Sequence, residues 1–175
     1  LKGYGMTEWQ FPQEITNFAE AARRFVGYVE AAHTYELLER LVRGAAAVGE
    51  LYTAGLYLPI QDPPEDPDEP PAPQKIAEWE GYEELTMFWH VPDAYAWGAP
   101  EVVSLTDLLL DTHRDIKQGL MLFDQGVADQ DEAILGHALW YWRDRMEKYW
   151  AAKSVDALRA LSRAIQKVSN GERDF

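Results

Sequence analysis

Apolar side chains recur along most of this chain at intervals of three and four residues, which places them on one face of an α-helix. The first such stripe covers 15–29 and follows Pro12, which a helix tolerates in its first turn. The second covers 38–56 and follows Thr34, whose hydroxyl could cap a helix. The pattern therefore predicts two N-terminal helices, the second of which ends before Pro59.

The third stripe, over 105–123, carries the most informative polar pattern of the chain. Ser104 precedes it and is a suitable N-cap for a helix. Asp107, Asp111 and Asp115 recur every four residues, so they line one flank of the predicted helix. We call these three residues the aspartate row. A row of carboxylates beside a buried face can bind a metal ion, bind a basic partner, or serve only the structure.

Three further helices are predicted from the remaining pattern. A short one covers 76–89, another opens at Asp129 or Asp131 after Gly126 has closed the third helix, and the last begins at about Ser154. No alternation typical of strands, no repeat and no heptad series is visible. The sequence therefore predicts an all-α, single-domain bundle of about six helices.

An acidic, proline-rich interval separates the helix predicted over 38–56 from the short helix predicted over 76–89. The twelve residues of 62–73 read DPPEDPDEPPAP, with six prolines, five acidic residues and no large apolar residue. Such a segment cannot form a helix interior or a central strand, so we expect 62–74 to be an extended or disordered loop. It is either a solvated excursion or a preformed ligand for another protein. We assign 6–175 to one helical domain and interpret 1–5 as an expression remnant.

The net charge of the chain limits the kinds of molecule that it is expected to bind. The chain has 30 acidic and 16 basic side chains, a formal net charge of −14. This disfavours nucleic acid as a partner, because phosphate binding depends on Lys and Arg. The imbalance is uneven, since residues 1–139 carry a net −17 and residues 140–175 a net +3. An acidic surface supports solubility and also attracts a basic protein partner.

Residue usage sets the expected compartment and adds candidate binding residues. The absence of cysteine excludes disulfides, thiolate metal sites and cysteine nucleophiles, and favours a reducing cytoplasm. No apolar run approaches the ~20 residues of a membrane span, and we expect neither a signal peptide nor a membrane partner. Seven Trp and nine Tyr exceed what a core requires. Trp79, Tyr95 and Trp97 are therefore candidates for contacts with a partner protein.

Several segments, taken in chain order, carry a resemblance to a known family. They read FVGYVEAA, LYTAGLYLP, YEELTMFWHVPDAYAW, SLTDLLLDTHRDIKQGL and SVDALRALSRAI. Over 15–166 the chain resembles the bacterial domain-of-unknown-function family five thousand and sixty-three. In that family the most specific helix has a serine, a leucine and paired acids, followed by two more aspartates. This pattern falls here on Ser104, Leu105, Asp107, Asp111 and Asp115. The resemblance implies a helical fold and no established reaction, and Leu108 replaces the second acid of the pair.

Metal binding is one interpretation of the carboxylates. Glu30 and His33 have the Glu-x-x-His spacing of di-metal helical bundles, but such sites need two of these pairs and only one occurs. The aspartate row could bind a hard cation such as Mg²⁺ with further ligands from Glu36 or Glu39. His113 projects to the opposite flank of the stripe and cannot join that site.

The alternative interpretation of the aspartate row is structural. Asp107 lies in the first turn of its helix, where negative charge is favourable. Asp111 and Asp115 can pair with basic residues of their own or the last two helices. The candidates are Arg114, Lys117, Arg143, Arg145 and Arg159.

Three functions remain open from the sequence. The first is a non-enzymatic protein-binding module, such as an immunity or antitoxin-like protein, that binds a basic partner through the aspartate row and the exposed aromatic residues. The second is a metal-dependent hydrolase that uses helix-borne carboxylates. The third is a scaffold or homodimer subunit. No Ser-His-Asp set and no glycine-rich phosphate loop is found, so we expect no enzyme and no cofactor unless the metal hypothesis holds.

Overall fold

The computed structural model describes residues 11–64, 70, 72–73, 87–90 and 99–172. Within these ranges the chain forms five α-helices and one two-stranded antiparallel sheet. The elements are α1 (Gln13–Ala31), α2 (Leu37–Leu56), β1 (Met87–His90), β2 (Glu101–Ser104), α3 (Leu105–Asp129), α4 (Glu132–Arg145) and α5 (Ala151–Ser169). The fold is all-α, as the apolar pattern predicts.

The core lies where α1, α3 and the segment from α4 to α5 meet around two buried tryptophans. Trp142 and Trp150 are fully buried, and the Phe18 ring lies 4.8 Å from the Trp142 ring and 6.1 Å from the Trp150 ring. Phe123 contacts Trp142 from α3, at 5.4 Å between ring centroids. Burying a side chain of this size contributes about 1.5–3 kcal/mol before the entropy cost is subtracted. These aromatic contacts connect the N-terminal and C-terminal helices.

Gly119 allows α3 and α4 to approach closely. A Cβ atom at this position would lie 2.0 Å from Nε1 of Trp142, far inside any real contact. The indole lies against the bare α3 backbone and donates a hydrogen bond of 3.2 Å to the Ile116 carbonyl. The glycine therefore costs helix propensity but makes room for the largest side chain of the core.

The boundary between α3 and α4 differs in part from the prediction. Asp131, rather than Asp129, caps α4, and its carboxylate accepts hydrogen bonds of 2.8 and 3.2 Å from two backbone N–H groups of the first turn. Gln130 ends α3 in the left-handed region, with φ of 54°. Gly126 does not close the helix but lies inside it. A glycine is needed there because Leu135 packs against its Cα, and a Cβ would lie 2.8 Å from Leu135 Cγ.

The predicted break before the last helix is wrong. A π-helical turn, Met146–Trp150, connects α4 to α5 without interruption, and α5 begins at Ala151. Ser154 is buried within the first turns of α5 rather than capping it. The described residues therefore form four continuous helical stretches, fewer than the six expected. None of the helices in the described ranges is long and apolar enough to cross a membrane.

The predicted cap of α2 is also wrong. Thr34 lies in a 3₁₀ turn, Ala32–Thr34, and its hydroxyl donates 2.7 Å to the carbonyl of Ala31. The first residue of α2 is Leu37, and Glu36 before it has an extended backbone and gives no side-chain cap. The hydroxyl bonds backward along the chain, as Ser and Thr often do in turns.

A short hairpin replaces the end of the predicted helix 76–89. Residues 76–86 lie outside the described ranges, and 87–89 belong to β1, which pairs antiparallel with β2. The expectation of no strands is therefore wrong, because strands of four residues are too short for alternation to be visible. Arg159 of α5 donates a hydrogen bond of 2.7 Å to the Trp89 carbonyl and so attaches the hairpin to the bundle.

The acidic interval touches the bundle at one described point. Of 62–74, residues 62–64, 70 and 72–73 are described and have no regular secondary structure. Pro70 is buried, and its carbonyl accepts a hydrogen bond of 3.2 Å from Nε2 of Gln118. The Oε1 atom of Gln118 accepts 2.7 Å from the hydroxyl of Tyr141. At Pro70 the interval is therefore anchored to α3 and α4 rather than solvated.

Candidate functional site

The aspartate row follows α3 from solvent into the interior. Asp107 is exposed in the first turn, and its backbone N–H donates 3.1 Å to Oγ of Ser104, which confirms the predicted cap. Asp111 is half-buried and Asp115 is 6% exposed. The three carboxylates thus share one flank but have different surroundings.

Basic side chains neutralise the two inner aspartates. Lys153 of α5 donates 2.8 Å to Oδ2 of Asp111, and Arg114 lies 3.4 Å from its Oδ1. Asp115 lies 3.8 Å from Nε of Arg114. Burial raises the pKa of Asp115, although the positive charges of Arg145, Arg114 and Lys153 act in the opposite direction. This supports the structural interpretation of the row.

Arg145 provides the positive charge at the inner end of the row. It is one of the arginines expected there, and its guanidinium lies over the rings of Tyr141 and Tyr149, at 5.2 and 4.9 Å from their centroids. Such stacking holds the cation in place at the start of the π-helical turn. Two of the expected arginines lie elsewhere: Arg143 donates to the Leu58 carbonyl and pairs with Glu147, and Arg159 donates to the Trp89 carbonyl.

The opposite flank of α3 contacts α1 through Glu30. His113 is 3% exposed and its Nε2 lies 3.2 Å from Oε1 of Glu30, which also accepts a hydrogen bond from Lys117. Burial lowers the pKa of His113, even though Glu30 favours its protonated form. Burial alone would raise the Glu30 pKa, but the hydrogen bonds from Lys117 and His113 lower it. Glu30 therefore faces α3, where it contacts His113 and Lys117.

Replacing His113 by glutamine is expected to flatten the dependence of stability on pH. Because the folded state holds His113 below its ordinary pKa of 6.5, the unfolded chain binds this proton more tightly. The wild-type free energy of unfolding should therefore be highest above pH 6.5 and fall as the pH drops through the lower, folded-state pKa. Urea denaturation between about pH 7.5 and about pH 5.5 measures this slope. His33→Gln, at an exposed histidine, is the matched control, and an H113Q slope as steep as that of wild type contradicts the assignment.

The candidate metal ligands of the described residues lie apart from one another. In the part of the chain that the structure describes, no three His, Asp or Glu side chains lie together as ligands would. Glu36 and Glu39 lie at the start of α2, and Glu39 pairs with Arg43 at 2.8 Å. Trp79, Tyr95 and Trp97 lie outside the described residues.

A groove between α1 and α2 is a concave surface formed by described residues. It consists of two adjoining concavities of about 570 and 380 Å³. Its floor is made of small residues. They are Ala21, Ala45, Ala46, Gly49 and Ala54. Polar side chains form the walls of the wider concavity. They are Asn17, Glu20, Arg24, Glu50 and Thr53, and Tyr57 closes one end. We call this the α1–α2 groove.

An exposed ion pair crosses the α1–α2 groove. Nε of Arg24 lies 2.7 Å from Oε2 of Glu50, and Nη1 of Arg24 lies 3.7 Å from Oε2 of Glu20. Arg24 and Glu50 line both concavities. All three side chains are more than half exposed. Such pairs contribute only about 0–1 kcal/mol, so this one can be rearranged at little cost.

Large apolar side chains are exposed at the C-terminal end of α2, where Tyr57 lines the groove. Leu56, Tyr57 and Ile60 are 53%, 68% and 84% exposed. Sequence reasoning missed this surface, because the spacing of polar residues on one helix does not reveal which helix lies beside it. The apolar pattern places Leu56 within the stripe over 38–56, and its exposure shows that this end of the stripe does not face the core.

Comparison with known proteins identifies the family and the fold of the chain but gives no function. The family model described as Domain of unknown function (DUF5063) matches residues 10–167. The crystal structure of protein BF1032 from Bacteroides fragilis is similar, with a TM-score of 0.71 and 17% sequence identity, over 88% of this chain and 93% of that chain. No curated protein matches the chain. The family expected from the sequence is confirmed, and the structural likeness at this identity shows the fold alone.

Proposed function

The chain belongs to the DUF5063 family, whose function is unknown, and we propose that it is a non-enzymatic module that binds a basic partner protein in the α1–α2 groove. The observation that carries the proposal is the groove itself, with its small-residue floor, glutamates on its walls and exposed apolar side chains at one end. The aspartate row contributes less to binding than the sequence suggests, because two of its members already have basic partners within the molecule.

The dimensions of the groove suit a single helix. Along α2 the lining extends from Arg43 to Tyr57, a distance of about 21 Å at 1.5 Å per residue. An α-helix of four turns has this length, and a floor of alanine and glycine lets its side chains approach the backbone of α2. Laying one face of an amphipathic helix into such a groove is a common mode of peptide recognition.

Charge favours a basic occupant. Glu20 and Glu50 share one cation, Arg24, so their carboxylates have remaining acceptor capacity. A lysine or arginine of the partner can bind either carboxylate, and rearranging the exposed Arg24 pair costs little. The net charge of −14 raises the rate of encounter with a basic protein as well.

The apolar end of the groove provides an anchor. Tyr57 lies in the wall and Ile60 lies beyond it, almost fully exposed. Exposed tyrosine is favoured at binding hot spots because it buries much area at a low entropy cost. An immunity or antitoxin-like role, in which the module occludes a basic toxin, is the specific form of this proposal that charge and size support.

Filling the α1–α2 groove with a bulky side chain on α1 is expected to abolish the recovery of the partner protein from a lysate. Asn17 is exposed in the wall of the groove, and Asn17→Trp fills it without touching the core. Tagged protein should recover one basic protein in stoichiometric amount from a lysate of the source organism at about 0.1 M salt and lose it at about 1 M salt. N17W should recover less than about a tenth of it, a loss of about 1.4 kcal/mol or more.

Gln125→Trp is the matched control, since Gln125 is an exposed amide on α3 outside the groove. Q125W should recover the partner as wild type does. If no salt-sensitive basic protein is recovered, or if N17W recovers it as well as Q125W, the groove is not its binding site.

A further inference from the structure

The chain leaves α2 with a buried leucine between exposed neighbours. Leu58 is 3% exposed and belongs to the core, whereas Tyr57 and Ile60 are 68% and 84% exposed. The backbone N–H of Leu58 donates a hydrogen bond of 3.1 Å to the Gly55 carbonyl, which completes the last turn. The Leu58 carbonyl lies past the end of the helix, so its partner must come from elsewhere in the chain.

Arg143 of α4 is that partner. Its Nη1 atom donates a hydrogen bond of 3.2 Å to the Leu58 carbonyl, across 85 residues of sequence. Its Nε atom lies 2.6 Å from Oε1 of Glu147, and this ion pair orients the guanidinium. A hydrogen bond from a charged donor is stronger than one between neutral groups. Arg143 therefore attaches the end of α2 to α4.

The residues after Leu58 follow the same face of α4. Nε2 of Gln61 lies 3.8 Å from the position of a Cβ on Gly136. Gly136 and Arg143 are seven residues apart, so they lie on one face of α4 and about 10 Å apart along its axis. The three residue steps from Leu58 to Gln61 span about 10 Å when the chain is extended. The segment 58–61 therefore runs along α4 from Arg143 toward Gly136.

Tyr57 lies between two fixed points of the backbone. On the α2 side, a Cβ on Gly55 would lie 3.0 Å from Sδ of Met146, so the last turn packs closely on the π-helical turn. On the other side, Arg143 holds the carbonyl of Leu58. The Tyr57 side chain itself is exposed, so its backbone rather than its surroundings sets its place in the groove.

We infer that Arg143 is a positioning residue of the α1–α2 groove, because it holds the Leu58 carbonyl and thereby keeps Tyr57 at the end of the groove. Arg143 lies outside the lining of the groove and acts through this backbone contact. The inference rests on the proposed function, in which Tyr57 anchors the partner. A tyrosine that is already ordered in the free chain loses less conformational entropy on binding.

Backbone order parameters from NMR relaxation test the inference on the purified chain. In wild type the amides of Tyr57 and Leu58 should have order parameters of about 0.85, as a rigid backbone does. Arg143→Met removes the donor, and in this variant both values should fall below about 0.6, while those of α1 and α3 stay as in wild type. A loss of global stability alone does not produce this pattern, because relaxation reports on the folded molecules.

Two further variants complete the test. Arg143→Lys keeps a cation that donates to the Leu58 carbonyl, so its values should stay close to those of wild type. Arg163→Met, at an exposed arginine of α5, is the matched control and should leave both values unchanged.

Four results would each overturn the inference. They are wild-type values below about 0.6, R143M values equal to wild type, R143K values as low as those of R143M, and an equal fall in R163M. The recovery of no basic partner from a lysate would instead overturn the proposed function, because the relaxation measurement involves no partner.

Discussion

Replacing Gly119 by alanine is expected to lower the free energy of unfolding by about 3–5 kcal/mol. The added Cβ would lie 2.0 Å from Nε1 of Trp142, so the indole must move outward from its contact with α3. That movement breaks its hydrogen bond to the Ile116 carbonyl and disturbs its contacts with Phe18 and Phe123. Overpacking and the loss of a buried hydrogen bond therefore act together.

Urea denaturation followed by circular dichroism measures this change, with Gly27→Ala as its control. A Cβ at Gly27 has nothing within 4 Å, and alanine has the higher helix propensity. G27A should therefore be as stable as wild type or more stable by up to about 1 kcal/mol. Equal stabilities of G119A and G27A would show that the indole does not lie on the α3 backbone.

Replacing Gln118 by leucine is expected to destabilise the fold by about 2–4 kcal/mol and to release the acidic interval. Gln118 is 5% exposed and bonds both the Tyr141 hydroxyl and the Pro70 carbonyl. Leucine removes the acceptor of the Tyr141 hydroxyl and the donor to the Pro70 carbonyl, and each of these losses costs about 1–3 kcal/mol. Cleavage within 62–73 by a glutamate-specific protease should therefore become faster, and denaturation should occur at lower urea concentration.

The double variant Q118L/Y141F separates these two effects. Removing both partners of a buried hydrogen bond is nearly neutral, so the added Tyr141→Phe should restore part of the lost stability, less the contribution of the hydrogen bond between Tyr141 and Arg145. It should not slow the cleavage, because the bond to Pro70 is still absent. Cleavage at the wild-type rate in Q118L would mean that Pro70 does not depend on Gln118 for its attachment.

The parts of the fold that follow from local spacing were predictable. The stripes over 15–29, 38–56 and 105–123 all lie in helices, and Ser104 and Asp131 cap α3 and α4 as their residue types suggest. The all-α class follows from these alone.

The parts that depend on tertiary contacts were not predictable. Gly126 resembles a helix stop but is required inside α3 by Leu135, and Ser154 resembles a cap but lies buried after a π-helical turn. The hairpin is too short for its alternation to be recognised. At Gly126 a neighbour from elsewhere in the chain outweighs the local preference of the residue.

The candidate site also combines features that local spacing predicts with features that depend on tertiary contacts. The sequence placed the aspartate row on one flank correctly, and Arg114 and Arg145 were among the basic residues expected beside it. Asp111 also pairs with Lys153, however, which spacing alone did not indicate. The α1–α2 groove depends on which two helices are neighbours, so no stripe of a single helix could reveal it.

The central claim is that the groove, and not the aspartate row, binds the partner. The most direct measurement is the amount of basic partner recovered in parallel by wild type, N17W and Asp107→Asn, the last of which removes the exposed charge of the row. We expect wild type and D107N to recover equal amounts at about 0.1 M salt, and N17W to recover less than about a tenth. Loss of the partner in D107N together with full recovery in N17W would contradict the account.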